Sequence, residues 1–297
     1  MKVGGHGLSR SVSLPLLMVL PSLVRGGWSI GYPLYDTART SVHAVSRFGQ
    51  VRDFVGAANF AALFRDTIFW GSFGRTLIWT VGVAGGALLI SAPVALVLNN
   101  DFAGRGLARL IIMLPWAISV TMTGIVWRWT LNGQYGLLNA TLASMGLLGK
   151  PIEWLAISDT AFPIEIAVGV LVAIPLTVTI YLGGLSSLPE DIFEAARIDG
   201  AGPAQRFRYL TLPLLLPFLS IAFVLNVIYA FNSFAIIWVL TQGDPANSTD
   251  ILVTYLYKVG FRYGRLDEAA AMSLLMFAFL LAFSVLYASL AWRERDA

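Results

Sequence analysis

The chain has 297 residues, of which 57% are apolar and only 12% are charged. An ordinary soluble domain carries about 25% charged residues. A mean hydropathy of +0.73 leaves too little polar surface to solvate a globule of this size, which argues against a soluble enzyme. The net charge of +3 comes from scattered Lys and Arg residues without a basic cluster, so the sequence does not indicate nucleic-acid binding.

The chain contains no cysteine and only two histidines, His6 and His43. Disulfide frameworks, thiolate metal sites and thiol nucleophiles are therefore excluded. Neither histidine belongs to a set with metal-ligand spacing, so we expect no metal site.

Long uncharged runs predict an all-α fold, a polytopic membrane helical bundle with six transmembrane helices in one domain spanning residues 1–297. A helix needs about 20 apolar residues to cross a hydrocarbon layer of ~30 Å, and each run is long enough. The predicted spans are residues 11–35, 76–98, 108–129, 164–186, 217–240 and 268–292.

The first predicted span is imperfect because Arg25 interrupts it. A short apolar stretch behind Lys2 and Arg10 also resembles a secretory signal, but no good small-x-small cleavage site precedes Trp28. We therefore favour an uncleaved span, in which Arg25 snorkels to an interface or forms a structural ion pair.

A dense group of charges separates the fourth and fifth spans. Pro189 suits the start of a helix, Glu190 and Asp191 complement its positive end, and Gly200 suits its stop. The sequence thus predicts a short capped helix. Its apolar, small-residue side is suited to docking in a groove of another protein.

The same segment resembles a known family. Glu194-Ala195-Ala196, three residues, Gly200, nine residues and then Leu210-Thr211-Leu212-Pro213 look like the EAA coupling loop of ATP-binding-cassette (ABC) import permeases of the carbohydrate, maltose-type group. Tracts such as Leu114-Pro115-Trp116 and Phe231-Asn232-Ser233-Phe234 extend the similarity over nearly the whole chain.

The resemblance implies a type I ABC importer fold in the bacterial plasma (inner) membrane, with both termini cytoplasmic. It also implies that residues 187–213 form a cytoplasmic coupling loop, whose helix plugs into an ATPase subunit. The residues expected to couple to the ATPase are Glu194, Ala195, Ala196, Asp199 and Gly200.

The expected partners are a second permease subunit, two copies of an ABC ATPase and an extracytoplasmic solute-binding protein, besides membrane lipid. A heterodimer of permeases is favoured, and a homodimer stays open. Gly149-Lys150 is followed by Pro151 and lacks the Gly-rich run of a phosphate loop. We therefore expect no cofactor in this chain, with ATP and Mg bound by the partner ATPase, and a transporter subunit rather than an enzyme.

Polar residues in the fifth span indicate a solute path. Asn226, Tyr229 and Ser233 at i, i+3 and i+7 share one face of a continuous helix, with Asn232 beside it. Such groups suit a sugar, but hydrogen bonds between helices explain them equally well. The resemblance implies sugar contacts at this face and on the fourth span, so the candidate residues are Asn226, Tyr229, Asn232, Ser233, Ala173 and Leu176.

Two further patterns have structural interpretations. Gly82-x-x-x-Gly86 in the second span predicts a close-packing surface. Tryptophans near the predicted span ends, including Trp79 and Trp116, indicate an aromatic belt at the membrane interface.

The sequence thus predicts the permease subunit of an ATP-driven importer for a sugar or sugar-like solute. The alternative is an ion-driven secondary transporter, although only Arg25 and Glu165 approach the membrane interior and no internal repeat is evident. An intramembrane enzyme is disfavoured because its motifs are absent. Disaccharides, sugar derivatives, polyols and glycerol-phosphate-type compounds all remain open as solutes.

Overall fold

The computed structural model describes the backbone of residues 9–293 and the side chains of residues 18–290. The described part is mostly helical, with one two-stranded antiparallel hairpin in which His43 lies opposite Phe54. In chain order the elements are α1 (Ser9–Ser41), β1 (His43–Val45), β2 (Val51–Phe54), α2 (Ala58–Arg65), α3 (Thr67–Asn99), α4 (Arg105–Ala117), α5 (Val120–Thr130) and α6 (Leu137–Ser144). They continue with α7 (Ser158–Ser186), α8 (Glu190–Ile198), α9 (Pro203–Arg206), a π-helical turn (Phe207–Thr211), α10 (Leu212–Phe231), α11 (Phe234–Leu240), α12 (Leu252–Tyr257), a second π-helical turn (Lys258–Arg262) and α13 (Leu266–Arg293).

The predicted number of six membrane spans agrees only approximately with the structure. Within the described residues, four helical stretches are long and apolar enough to cross a membrane: Thr67–Asn99, Ser158–Ser186, Pro203–Phe231 and Leu266–Leu290. The bent pair α4 and α5 gives a fifth span if it is counted as one. At the first predicted span α1 is a 33-residue helix, but it also contains Arg25, Asp36 and Arg39 and is not among the four.

The third predicted span is not one straight helix. α4 ends at Ala117 and α5 starts at Val120 with a bend of 96° between them. Pro115 provides no backbone N–H to the last turn of α4, and Ile118 is extended (φ −89°, ψ 141°). The sequence run was apolar throughout, so hydropathy alone did not indicate the bend.

The fifth predicted span is also interrupted. Residues 217–240 were expected to form one helix, but α10 ends at Phe231 and α11 starts at Phe234. A side chain from another helix binds the carbonyl group that a continuous helix would use, as described with the site below.

The chain divides into two compact units. The first contains the chain up to Arg65 together with residues 256–282, and the second contains residues 66–255 and the remainder. In the first unit, the Asn59 amide donates to the carbonyl oxygens of Ser41 (2.9 Å) and His43 (3.0 Å), which ties α2 to the end of α1.

In the second unit α3 and α7 pack closely along each other, and glycines make this possible. A Cβ atom added to Gly82 would lie 2.9 Å from the Ile166 side chain, and one added to Gly86 would lie 2.6 Å from that of Val170. The close-packing surface predicted for Gly82 and Gly86 is thereby confirmed.

We expect Gly86→Ala to destabilise the protein by about 1–3 kcal/mol, because the new methyl group overlaps the stiff, β-branched Val170 side chain. Gly85→Ala is the matched control, since its Cβ meets nothing within 4 Å and alanine favours the helix. Thermal unfolding of the purified variants measures the difference. Equal melting temperatures would contradict the tight contact.

Candidate functional site

The second unit contains a cavity of about 470 Å³ bordered by α3, α4, α5, α7, α10 and α11. All six residues predicted for the solute path line it: Ala173, Leu176, Asn226, Tyr229, Asn232 and Ser233. The sequence therefore identified a set of residues that the fold brings together. Their contact with a solute stays a prediction.

The break between α10 and α11 places two of these residues at the cavity. Trp79 is fully buried on α3, and its indole N–H donates to the Ala230 carbonyl oxygen at 3.0 Å. In a continuous helix that oxygen would accept the N–H of Phe234, but here it also accepts the N–H of Ser233 at 3.0 Å, while Phe234 donates to the Asn232 carbonyl at 2.9 Å. The helix ends, and Ser233 is the central residue of an inverse γ-turn (φ −75°, ψ 80°). We expected Asn226, Tyr229 and Ser233 to share one face of a continuous helix. That expectation is wrong because the helix ends before Ser233, although all three residues still line one cavity.

Asn226 is only 3% exposed, and its amide nitrogen joins two helices. It donates to the Thr177 hydroxyl oxygen at 2.9 Å and to the Ala222 carbonyl oxygen at 2.8 Å. Because one N–H group bonds to α7 and the other to a carbonyl of α10 itself, only the amide oxygen is available to a ligand. Asn226 therefore serves helix packing and cavity lining at once.

Apart from Tyr229, sequence reasoning missed the aromatic residues of the cavity. The interfacial interpretation is wrong for Trp79, which is buried in a core cluster with Val83, Val168 and Ile237. Trp116 and Phe234 line the cavity. The proline before Trp116 was the available signal, because a proline in an apolar run often marks a bend where a side chain is directed away from lipid.

A buried hydrogen-bond network fixes the far end of α11. The Thr241 hydroxyl donates to Oε1 of the fully buried Glu165 at 2.6 Å, and it lies 2.7 Å from the Thr249 hydroxyl. The backbone N–H of Gly243 donates to the same Thr241 oxygen at 3.1 Å. The loop that follows has positive φ angles at Gln242, Gly243, Ala246 and Asn247. Glu165 thus anchors the helix whose first turn lines the cavity.

The predicted short helix between spans is present as α8, and the hydrogen bonds of its C-terminal cap are complete. Gly200 has φ +81°, its N–H donates to the Arg197 carbonyl (3.1 Å), and the Ala201 N–H donates to the Ala196 carbonyl (2.9 Å). This is the Schellman arrangement, which requires a left-handed residue at Gly200. None of the α8 side chains is buried, and Ile198 is 86% exposed.

A second, more polar hollow of about 410 Å³ lies between the end of α8 and the following turn. Three of the five predicted coupling residues, Ala196, Asp199 and Gly200, line it together with Arg206. Glu194 and Ala195 lie on the exposed surface of α8. The side chains of the described residues form no group of three His, Cys, Asp or Glu that could hold a metal ion.

Comparison with known proteins agrees with this architecture. The family model "binding-protein-dependent transport system inner membrane component" matches residues 87–295. A probable ABC transporter permease of Brucella suis biovar 1 is 55% identical over 96% of this chain and 99% of the relative. The trehalose/maltose transport system permease MalF of Thermococcus litoralis is 33% identical over 97% of this chain and 96% of the relative.

A solved structure has the same fold. The crystal structure of a bacterial ABC transporter involved in the import of the acidic polysaccharide alginate superimposes with a TM-score of 0.82 at 21% identity, over 96% of both chains. The family model matches most of this chain, and the relatives match almost all of it. The chain therefore belongs to the binding-protein-dependent transport system inner membrane components and is a multi-pass permease subunit of an ABC transporter, whose ATPase is a separate subunit.

Proposed function

We propose that this permease carries a sugar or sugar-like solute through the cavity at the α10–α11 break, after delivery by an extracytoplasmic solute-binding protein. The observation that carries the proposal is the meeting of aromatic rings, hydroxyls and amide oxygens in one cavity between otherwise apolar helices. The relative from Thermococcus litoralis, a trehalose/maltose permease over nearly its full length, supports the same solute class.

The exposed α8 is the proposed contact with the ATPase. Ile192 and Ile198 are uncovered apolar side chains on a short helix, which suits insertion into an apolar groove. One chain supplies one such helix, whereas two ATPase copies need two, so a second permease is required. We favour a heterodimer of permeases in the inner membrane, with both termini cytoplasmic and with ATP and Mg held by the ATPase copies.

Chain connectivity suggests how motion of α8 reaches the cavity. α8 follows α7 after three residues, and the turn after α8 leads through α9 into α10. Both α7 and α10 carry cavity residues. Closure of two ATPase subunits on ATP would thus move the cavity walls as rigid bodies and switch the side on which the cavity opens.

The function is tested with the complete transporter in proteoliposomes. We expect solute uptake to require ATP on the side of the membrane where the ATPase subunits lie. Trehalose is the first probe. Uptake driven by a proton or sodium gradient without ATP would overturn the proposal in favour of a secondary transporter.

For the coupling helix, we expect Gly200→Val to lower solute uptake and solute-stimulated ATP hydrolysis at least tenfold. A left-handed conformation costs a non-glycine residue about 1–2 kcal/mol, and more for a β-branched one, so the end of α8 has to change shape.

Gly202→Val is the control for that variant, because Gly202 has φ −66° and ψ 165°, which any residue adopts. Membrane insertion is measured in both variants. Equal losses in the two would assign the effect to side-chain bulk near the ATPase and contradict the importance of the left-handed turn.

For the helix break, we expect Trp79→Phe to raise the KM of uptake. Without the indole N–H, the end of α10 loses its hydrogen bond to α3, and the turn at Asn232 and Ser233 that borders the cavity is held less firmly. Because the Ala230 carbonyl keeps the Ser233 N–H, the loss of this hydrogen bond costs only about 0.5–1.5 kcal/mol of stability. Trp129→Phe on α5 is the control, since Trp129 is exposed. An unchanged KM in the Trp79 variant would show that the break does not depend on this bond.

A further inference from the structure

Most of the polar N–H groups around the cavity are already used within the protein. Both N–H groups of Asn226 are occupied by Thr177 and Ala222, and the Trp79 indole N–H by Ala230. One N–H group of Asn232 donates to the Ile228 carbonyl at 3.0 Å. Carbonyl oxygens can only accept, so these contacts fix the orientation of both amides and direct their oxygens elsewhere.

Among the described residues, the polar side-chain groups that remain are all neutral: two amide oxygens, two hydroxyls, the second N–H of Asn232 and the indole N–H of Trp116. Within the described residues, the amide oxygens of Asn226 and Asn232 and the hydroxyls of Tyr229 and Ser233 make no side-chain hydrogen bond to the protein. Hydroxyl groups of a solute can donate to all four oxygens. Every described residue that lines the cavity is uncharged.

Aromatic faces complete the surface. Tyr229 is 65% exposed and Trp116 is 66% exposed, and both line the cavity with Phe234. Flat apolar rings suit the C–H face of a sugar ring, while neighbouring oxygens accept its hydroxyl protons.

A negatively charged group meets no cation among the described residues of this lining, only neutral hydroxyl and N–H donors. Transfer of a phosphate or carboxylate out of water is costly unless a cation or several directed N–H donors compensate it, and oxygen acceptors repel it. A hydroxyl exchanges its water hydrogen bonds for neutral ones at little net cost.

From this inventory we propose that the translocated solute is an uncharged glycoside or polyol rather than a sugar phosphate, sulfonate or uronate. The inference rests on the proposed function. It narrows the solute class of the same cavity, with Tyr229 as a ring-stacking residue and Asn226, Asn232 and Ser233 as acceptors of solute hydroxyls.

The test uses the complete transporter in proteoliposomes with its solute-binding protein and ATP. The probes form matched pairs in one equimolar mixture: methyl glucoside with methyl glucuronide, trehalose with trehalose 6-phosphate, and glycerol with glycerol 3-phosphate. Mass spectrometry of the accumulated solutes gives the charge class directly. If no probe accumulates, the same measurement is made on the solute that co-purifies with the binding protein and is then taken up.

We expect ATP-dependent accumulation of neutral members in at least tenfold excess over their anionic partners. Preferential uptake of the anionic members would overturn the proposal that the solute is uncharged, but it would not contradict the proposed import of a sugar. ATP-dependent uptake of a solute that is neither sugar nor polyol, or no ATP-dependent uptake of any solute, would overturn both the charge class and the proposed function.

A variant pair tests whether this chain makes the contact. Tyr229→Ala removes an aromatic face from the cavity, and we expect the KM for the neutral solute to rise about tenfold. Tyr263→Ala removes an exposed ring that does not line the cavity, and its KM should stay unchanged. An unchanged KM in the Tyr229 variant, with assembly and basal ATP hydrolysis intact in both, would contradict recognition by this lining.

Discussion

The hydrogen bond from the Trp79 indole to the Ala230 carbonyl ties α3 to the end of α10 at the edge of the cavity. It needs a close approach of three helices, and α7 permits this because Gly169 has no side chain: a Cβ there would lie 2.9 Å from the Trp79 ring. The Ala230 carbonyl accepts both the indole N–H and the backbone N–H of Ser233, and these two bonds hold the turn at Asn232 and Ser233 where α10 ends. Polar groups therefore border the cavity within an apolar bundle, because Asn232 and Ser233 at the break between α10 and α11 line it.

α11 is held at both ends by contacts to other helices. The bond between Trp79 and Ala230 sets the turn before its first residue, and the bond between Thr241 and Glu165 fixes the residue after its last. A seven-residue helix is too short to be stable by itself, so these anchors maintain it. Glu165 therefore has a structural explanation within this unit, and its burial in a predicted span does not require ion transport.

Local patterns in the sequence were sufficient for some features and insufficient for others. The start and the end of α8 were predictable, because Pro189 and Gly200 act on their own neighbours. The apolar runs located the long helices for the same reason. The break after α10 was not predictable, since it depends on Trp79 and Ala230, which are 151 residues apart. Hydropathy treats Trp79 as apolar and ignores the indole N–H group that binds the end of α10. The cavity residues were still identified, because Asn226 and Tyr229 are polar exceptions on a local helix face.

The left-handed end of α8 also bears on how fast a partner can bind. Gly200 and Ala201 satisfy the last carbonyls of the helix from within the chain, so its backbone is ordered before any contact forms. Binding to such a helix restricts side chains such as Ile198 but need not fold a segment, which keeps the entropic cost low. Association is then governed by diffusion and orientation rather than by a preceding folding step.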